Sequence, residues 1–252
     1  MISSKENARV KRWARLGRDA RLRRREQRAI IEGPHLVAEA LHAGLEPAAL
    51  LASESGLLRQ EIRDLLQKRQ PVLLSDAVFR SIADADNPQG IAAEIAIPRI
   101  QAKGDCVFLE GVQDPSNVGA IIRSAAALGA RTLVLDQDCA DAWSPKALRA
   151  GMGGHFKLAI RHAVSLDKEF DAFSGTLVCT VPASGVSLRE ADLDGRLGWI
   201  FGAEGRGVSE RAARRAEVKV TIPMAAGTES LNVAATAAIC LYEAFSRPGA
   251  RS

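Results

Sequence analysis

Three stretches of this 252-residue chain set polar side chains beside lean, glycine-bearing turns. In DPSNVGAIIRSAAALGA, Asn117, Gly119 and Arg123 fall where a strand passes into a helix. Asn117 can cap that helix. An arginine among so many apolar residues is costly to bury unpaired, so Arg123 needs an anionic partner, a cleft or the helix surface. The second stretch, FGAEGRGVS (201–209), carries three glycines within six positions. Such a turn lets a ligand approach the main chain. Glu204 inside it is an acid/base or orienting carboxylate, or a solvent-facing loop residue. The third stretch, IPMAAGTESLNVAAT (222–236), leads through Ser230, Leu231 and Asn232 into an Ala-rich helix. A cap and a tight turn account for it, and so does a backbone cleared for a ligand.

Several chemistries are disfavoured by the same residues. The glycine order G-x-x-G-x-G is not the dinucleotide fingerprint, and the acidic residue which that fingerprint requires is missing, so a Rossmann-type oxidoreductase is disfavoured. No P-loop pattern occurs. The four histidines (35, 42, 155, 162) and four cysteines (106, 139, 179, 240) show no metal-ligand spacing, and no metal is expected. Cysteines in apolar surroundings fit buried thiols in a reducing cytoplasm. No apolar run is long enough for a membrane span, and the charged N-terminus does not resemble a signal peptide.

These residues must be positioned by alternating strands and helices. Strands are expected at 29–33, 48–53, 71–75 and 90–98, with helices at 34–44, 56–70 and 76–86. A polar linker, 98–105, follows. The second half reads as strands at 106–112, 132–136, 157–160, 176–181, 197–202 and 218–223. Helices lie between them at 117–129, 144–154, 166–173 and 208–216, and a closing helix at 230–246. Alternation of this kind predicts an α/β fold, and unbroken apolar runs predict central parallel strands. The expected domains are therefore 1–97, a basic arm plus a small α/β domain, and 106–252. Strand ends near 180–183, 201–205 and 222–227 could line a slot with main-chain groups, fit for an adenine and its ribose.

The overall charge of +4 is unevenly spread. Residues 1–28 hold eleven Lys/Arg and three Asp/Glu, a net of +8. A basic arm on a mildly acidic body points to a polyanion, most simply nucleic acid. A membrane-surface helix or a plain solvated face are the other readings. Val10, Trp13 and Leu16 share one helical face, which predicts a docked basic helix.

N-x-G-x-x-x-R (117–123), F-G-A-E-G-x-G (201–207) and I-P-M-x-x-G-x-x-S-L-N-V (222–233) together resemble the three motifs of the SpoU family of RNA ribose methyltransferases, in the SPOUT superfamily. The segment SPKALRAGMGGHFKL resembles the family's stretch between motifs one and two. The N-terminal half, with IIEGPHLVAEAL and NPQGIAAEI, is similar to a ribosomal-protein-like RNA-binding domain found in members acting on large-subunit ribosomal RNA. One departure is Ala225-Ala226, where members often carry a further Gly. The resemblance implies a SPOUT α/β domain with a trefoil knot, a feature that chain connectivity alone disfavours. It implies 2'-O-methylation of RNA using S-adenosylmethionine, with ribosomal RNA favoured over transfer RNA and over a non-catalytic RNA-binding role. Arg123, Asn117, Glu204, Ser230 and Asn232 become the catalytic residues. Thr180, Val181, Gly202, Ile222, Met224 and Leu231 become cofactor contacts. Because an arginine guanidinium deprotonates only above about pH 12, the preferred role of Arg123 is to grip a substrate phosphate. A homodimer is implied, with the arginine of one subunit serving the other's pocket. Leu231, Val233, Ile239, Leu241 and Phe245 could serve that interface or equally be internal core.

Overall fold

In the computed structural model, which describes residues 1–67 and 69–247, the basic N-terminal stretch folds as two helices. Helix α1 (Ala8–Arg18) is capped by Asn7, and α2 (Ala20–Glu26) by Asp19, whose carboxylate accepts from the Leu22 N–H at 3.0 Å. Val10, Trp13, Leu16 and Leu22 are buried in one cluster with Ile30, Leu51, Val78 and Phe79. The docked face is therefore core. The strands and helices after it are β1 (Arg28–Glu32), α3 (Pro34–His42), β2 (Ala49–Ser53), α4 (Gln60–Leu66), β3 (Val72–Leu74), α5 (Asp76–Ile82) and β4 (Ile91–Ala96). They form a four-stranded sheet in the order β1-β4-β2-β3, in which only the β2–β3 pair is parallel. The helix expected over 56–70 is a 3-10 turn at Gly56–Leu58 followed by α4, and Lys68 lies outside the described residues.

The second half supplies β5 (Cys106–Glu110), α6 (Pro115–Ala127), β6 (Thr132–Leu135), α7 (Pro145–Gly151), β7 (Ala159–His162) and α8 (Leu166–Ala172). It continues with β8 (Thr176–Thr180), β9 (Val186–Ser187), β10 (Leu197–Gly202), α9 (Glu210–Arg215), β11 (Val218–Thr221) and α10 (Val233–Ser246). Seven strands form a wholly parallel sheet in the order β7-β6-β5-β10-β8-β11-β9. Every residue of β6 and β10 is buried, as expected of parallel strands covered on both faces. Trp199 and Phe201, on one face of β10, lie parallel with ring centroids 6.0 Å apart. The two-residue edge strand β9 is too short to leave a periodic signal in the sequence.

The chain clusters into two compact units. One comprises Met1–Pro98 with Asp141–Phe156, and the other Arg99–Ala140 with the chain from Lys157 on. Segment 141–156, which holds α7, thus belongs to the first unit although it interrupts the second in sequence. Arg23 explains part of this. Its side chain is buried, donates to the Asp141 carboxylate at 2.7 Å and to the Leu16 carbonyl at 2.6 Å. Arg149 on α7 likewise pairs with Asp84 at 2.6 Å. The expected second domain runs through 106–252, and its last five residues lie outside the described residues.

Candidate active site

The second unit gathers the three motif stretches at the carboxyl ends of β5, β10 and β11, the last two separated by β8, on the side where open α/β sheets bind ligands. Asn117 follows β5, Glu204 follows β10, and Asn232 follows β11. The Asn117 amide nitrogen donates to the Glu204 carboxylate at 2.7 Å. The Asn232 amide nitrogen donates to the Asn117 carbonyl oxygen at 3.0 Å. The Asn232 oxygen in turn accepts from the Ala234 and Ala235 N–H groups at the start of α10. A carboxylate can only accept and a helix N-terminus can only donate, so both amides in this line have one orientation.

Glu204 is held at a second point by the Gln113 N–H, 3.2 Å from its carboxylate. Burial pushes its carboxyl up, but hydrogen bonds from Asn117 and from backbone N–H groups of Glu204, Gln113 and Asp114 outweigh that and hold it below the usual range. It is therefore ionised at neutral pH.

Two expectations about helix starts are corrected. Asp114, not Asn117, caps α6, accepting from the Ser116 N–H at 2.8 Å with Pro115 at the first helical position. The pair Asp-Pro was the signal for this start. Helix α10 begins at Val233 rather than 230, so Asn232 is its N-cap and not a member of its first turn. Asn117 is thereby left free of a capping role, while Asn232 caps α10 with its oxygen and turns its amide nitrogen to Asn117.

Arg123 lies on α6, exposed, and its side chain has no hydrogen bond or ion pair to any described residue. Ser230 is exposed in the turn before α10 and is likewise without a partner among the described residues. Thr180 and Val181 end β8, between β10 and β11. The main chain of Val181 is already used: its N–H donates to the Val220 carbonyl, and its carbonyl accepts from the Thr221 hydroxyl. Ile222, Met224 and Leu231 lie beyond the end of β11, partly or largely exposed. Met224 and Leu231 make no hydrogen bond to another described residue, so their main-chain groups are available.

Gly202 is lean for a reason different from the one expected. A Cβ there would stand 2.0 Å from the Gly207 carbonyl carbon and oxygen and 2.2 Å from the Val208 nitrogen. The closely approaching backbone is that of its own turn, which doubles back through an Ala203–Gly207 bridge. Of the residues weighed for an interface, Leu241 is buried in the core, and Phe245 is half-buried beside Gly129. Ile239 and Tyr242, spaced to share a helix face, are 40% and 61% exposed. Tyr242 went unnoticed in the sequence.

A groove of about 600 Å³ lies at the other end of the sheet, lined by Lys103, Cys106, Thr132, Arg161 and Arg196. Its arginines are engaged, Arg161 with Glu169 and Arg196 with Ser174 and the Gly104 carbonyl. It sits at the amino ends of β5 and β6, away from all three motifs.

An all-parallel α/β sheet with amide and carboxylate groups joined by hydrogen bonds at the carboxyl ends of its strands defines an enzyme of the open-sheet, ligand-crevice class. Residues 105–242 match the SpoU rRNA Methylase family, and residues 7–93 match the MRM3-like substrate binding domain. The chain belongs to the SpoU rRNA methylase family. It is 32% identical over 246 residues to the 23S rRNA (guanosine(2553)-2'-O)-methyltransferase RlmP of Bacillus subtilis (strain 168), spanning 96% of this chain and 97% of that one. The structure superposes with a TM-score of 0.87 on the SpoU methyltransferase AviRb from Streptomyces viridochromogenes in complex with AdoMet, 27% identical over 95% of this chain and 97% of that one. A crystal structure of an RNA 2'-O ribose methyltransferase gives a TM-score of 0.81 at 31% identity, covering 96% and 97% of the two chains. No helix among the described residues is long and apolar enough to cross a membrane.

Proposed function

We propose that this protein transfers a methyl group from S-adenosylmethionine to a ribose 2'-hydroxyl in large-subunit ribosomal RNA. The observation that carries the reading is the line Glu204–Asn117–Asn232, which joins the three motifs at one place. Ile222, Met224 and Leu231 fit the adenosine part of the cofactor, offering apolar side chains and, at Met224 and Leu231, unpaired main-chain donors and acceptors. Thr180 and Val181 supply the neighbouring wall, and Gly202 shapes it through its own turn. When bound, S-adenosylmethionine supplies an electrophilic methyl group on a sulfonium.

The remaining work falls to the protein's own side chains. Arg123, free of internal partners, grips the phosphate beside the target ribose through a two-point guanidinium contact. That phosphate is placed to receive the hydroxyl proton. Ionised Glu204 fixes Asn117, Asn117 fixes Asn232, and Ser230 and Asn232 face the reacting ribose. Alignment of this kind is the main resource of a transfer reaction. The unit built on residues 1–97 binds the RNA, and four buried free thiols suit a cytoplasmic enzyme. The trefoil knot belongs to the same reading, supported by the return of α10 onto α6 after β11.

The family reading further makes the protein a homodimer with composite sites. It is supported by Ile239 and Tyr242 on the exposed face of α10 and by Arg123 standing without an internal partner. Arg123→Ala and Asn232→Ala chains should each be nearly inactive. Mixed dimers of the two should regain a substantial fraction of activity, and purified mixed dimers without recovery would place each site within one subunit.

The direct test is mapping of 2'-O-methyl groups in 23S rRNA and transfer RNA incubated with the protein and S-adenosylmethionine. A new methyl on one ribose of 23S rRNA is expected. Methylation of transfer RNA alone would move the substrate, and none on either would overturn the reading.

A further inference from the structure

Glu110 ends β5, in register with Gly202 at the end of β10. Its carboxylate accepts two hydrogen bonds from one residue, from the Ser209 N–H at 2.8 Å and the Ser209 hydroxyl at 2.7 Å. The Ser209 oxygen also accepts from the Ala212 N–H at 3.1 Å and so caps α9. Between Gly202 and Ser209 runs the turn that carries Glu204. This turn has little holding it from within, namely one bond from the Gly207 N–H to the Ala203 carbonyl at 2.8 Å. Gly205 and Gly207 have φ of +81° and +68°, with open space around them. Glycines at such angles let a turn swing at small cost.

The turn is instead pinned from outside, at both ends, by the segment 110–117, which runs from the end of β5 into the first turn of α6. Near its start, Glu204 takes hydrogen bonds from Gln113 and Asn117. At its exit, Ser209 gives two to Glu110. The two carboxylates act in opposite senses, one on the turn reaching to that segment and one on β5 reaching to the turn. Bonds to a charged acceptor are the stronger kind, and Gly202 without a Cβ lets the return leg lie against β10.

We infer that Glu110 is a positioning residue, which with Ser209 clamps the exit of the 203–208 turn and so holds Glu204 against Asn117. This rests on the proposed methyl-transfer reading for its kinetic consequence, though not for its structural one. Loosening the exit leaves the Glu204 carboxylate attached at one end of a glycine-hinged turn. Asn117 then loses the partner that fixes its amide.

The test uses the full-length protein with Glu110→Gln, Ser209→Ala, both together, and Ser209→Thr, which keeps the hydroxyl. Hydrogen exchange of the Gly207 N–H should speed up at least about tenfold in Glu110→Gln and Ser209→Ala, because local opening replaces a held turn. Exchange in β10 should stay as in the wild type. In methyl transfer, kcat should fall about tenfold while KM for S-adenosylmethionine stays within about twofold. Ser209→Thr should recover most of that loss. The double variant should lose clearly less than the product of the two single losses, since the hydroxyl–carboxylate bond is common to both, although Ser209→Ala also removes the α9 cap.

Unchanged Gly207 exchange in folded Glu110→Gln would overturn the clamp. So would faster exchange spread equally over β10, or losses that multiply in the double variant. Ser209→Ala answers the same question if Glu110→Gln fails to fold. A wild-type protein that methylates no RNA would sink the functional reading alone, because the exchange measurement still decides the clamp.

Discussion

Asn117 is the residue on which the site turns, because it is both a donor to Glu204 and an acceptor from Asn232. Asn117→Ala should leave the carboxylate and the cap in place but uncoupled. Methyl transfer should fall about a hundredfold, the scale of a misplaced reacting group, with S-adenosylmethionine affinity by calorimetry nearly unchanged. Asn117→Asp sets a carboxylate against Glu204 and should do no better. Gly202 gives a contrasting case. Because the clash begins at Cβ, Gly202→Ala should already abolish cofactor binding, with no need for a larger side chain. Retained affinity in Gly202→Ala would mean that the 203–207 turn can move away without harm to the pocket.

At the scale of the element, the basic helices divide their arginines between two duties. Arg12 holds Glu94 at 3.0 and 2.9 Å, and the Trp13 indole N–H donates to the same carboxylate at 2.8 Å. Burial pushes the Glu94 carboxyl up, and the contacts from Arg12 and Trp13 more than offset it. Arg23 is buried as well. Arg21 and Arg24, by contrast, are exposed and unpaired among the described residues, and Arg25 is exposed beside Glu26. Removing residues 1–28 would therefore strip Val10, Trp13, Leu16 and Leu22 from the core and test folding rather than RNA binding. Arg21→Gln, Arg24→Gln and Arg25→Gln together leave the core intact. They should weaken RNA binding and flatten its log–log salt slope by about 0.7 to 0.9 per lost phosphate contact. An unaltered slope would assign the α2 cations another purpose.

At the scale of the whole molecule, the first unit is completed by a segment that lies between β6 and β7 in sequence. Asp141→Asn would leave Arg23 buried without its counter-charge. The cost should be about 3 to 5 kcal/mol by urea unfolding, the usual penalty for breaking a buried pair. Expressed alone, residues 1–98 should fail to fold cooperatively. The same segment holds His155, whose Nε2 is 2.8 Å from the Ala142 carbonyl and whose Nδ1 is buried without a hydrogen-bond partner. Burial pushes its pKa down from 6.5 to about 4. The unfolded chain then binds more protons between these values, so stability rises with pH from about 4 to 6.5 and is complete above. Unfolding measured at pH 4.5 and 7 should show His155→Gln losing less stability on acidification than the wild type, by about 1 to 3 kcal/mol. Equal losses would mean that His155 is not the group titrating.

The sequence by itself determined what local chemistry can encode. Apolar runs marked β5, β6 and β10 as central parallel strands, and the face shared by Val10, Trp13 and Leu16 marked α1 as docked. Three motifs, each short, identified the family because their order and spacing had to agree at once. What the sequence left open depended on contacts between residues far apart in the chain. Asn117 and Asn232 both read as helix-start residues, since capping is a local property; that they hydrogen-bond across 115 positions comes from the order of β5, β10 and β11 in the sheet. Gly202 read as a ligand approach, because a sequence shows that a side chain is missing but not which atoms fill its place. Arg12 and Arg23 read as part of a basic surface, because formal charge is additive along the chain while pairing with distant carboxylates is not visible in it. Their acidic partners, Glu94 and Asp141, are 82 and 118 residues away, and only the folded chain brings those carboxylates within reach.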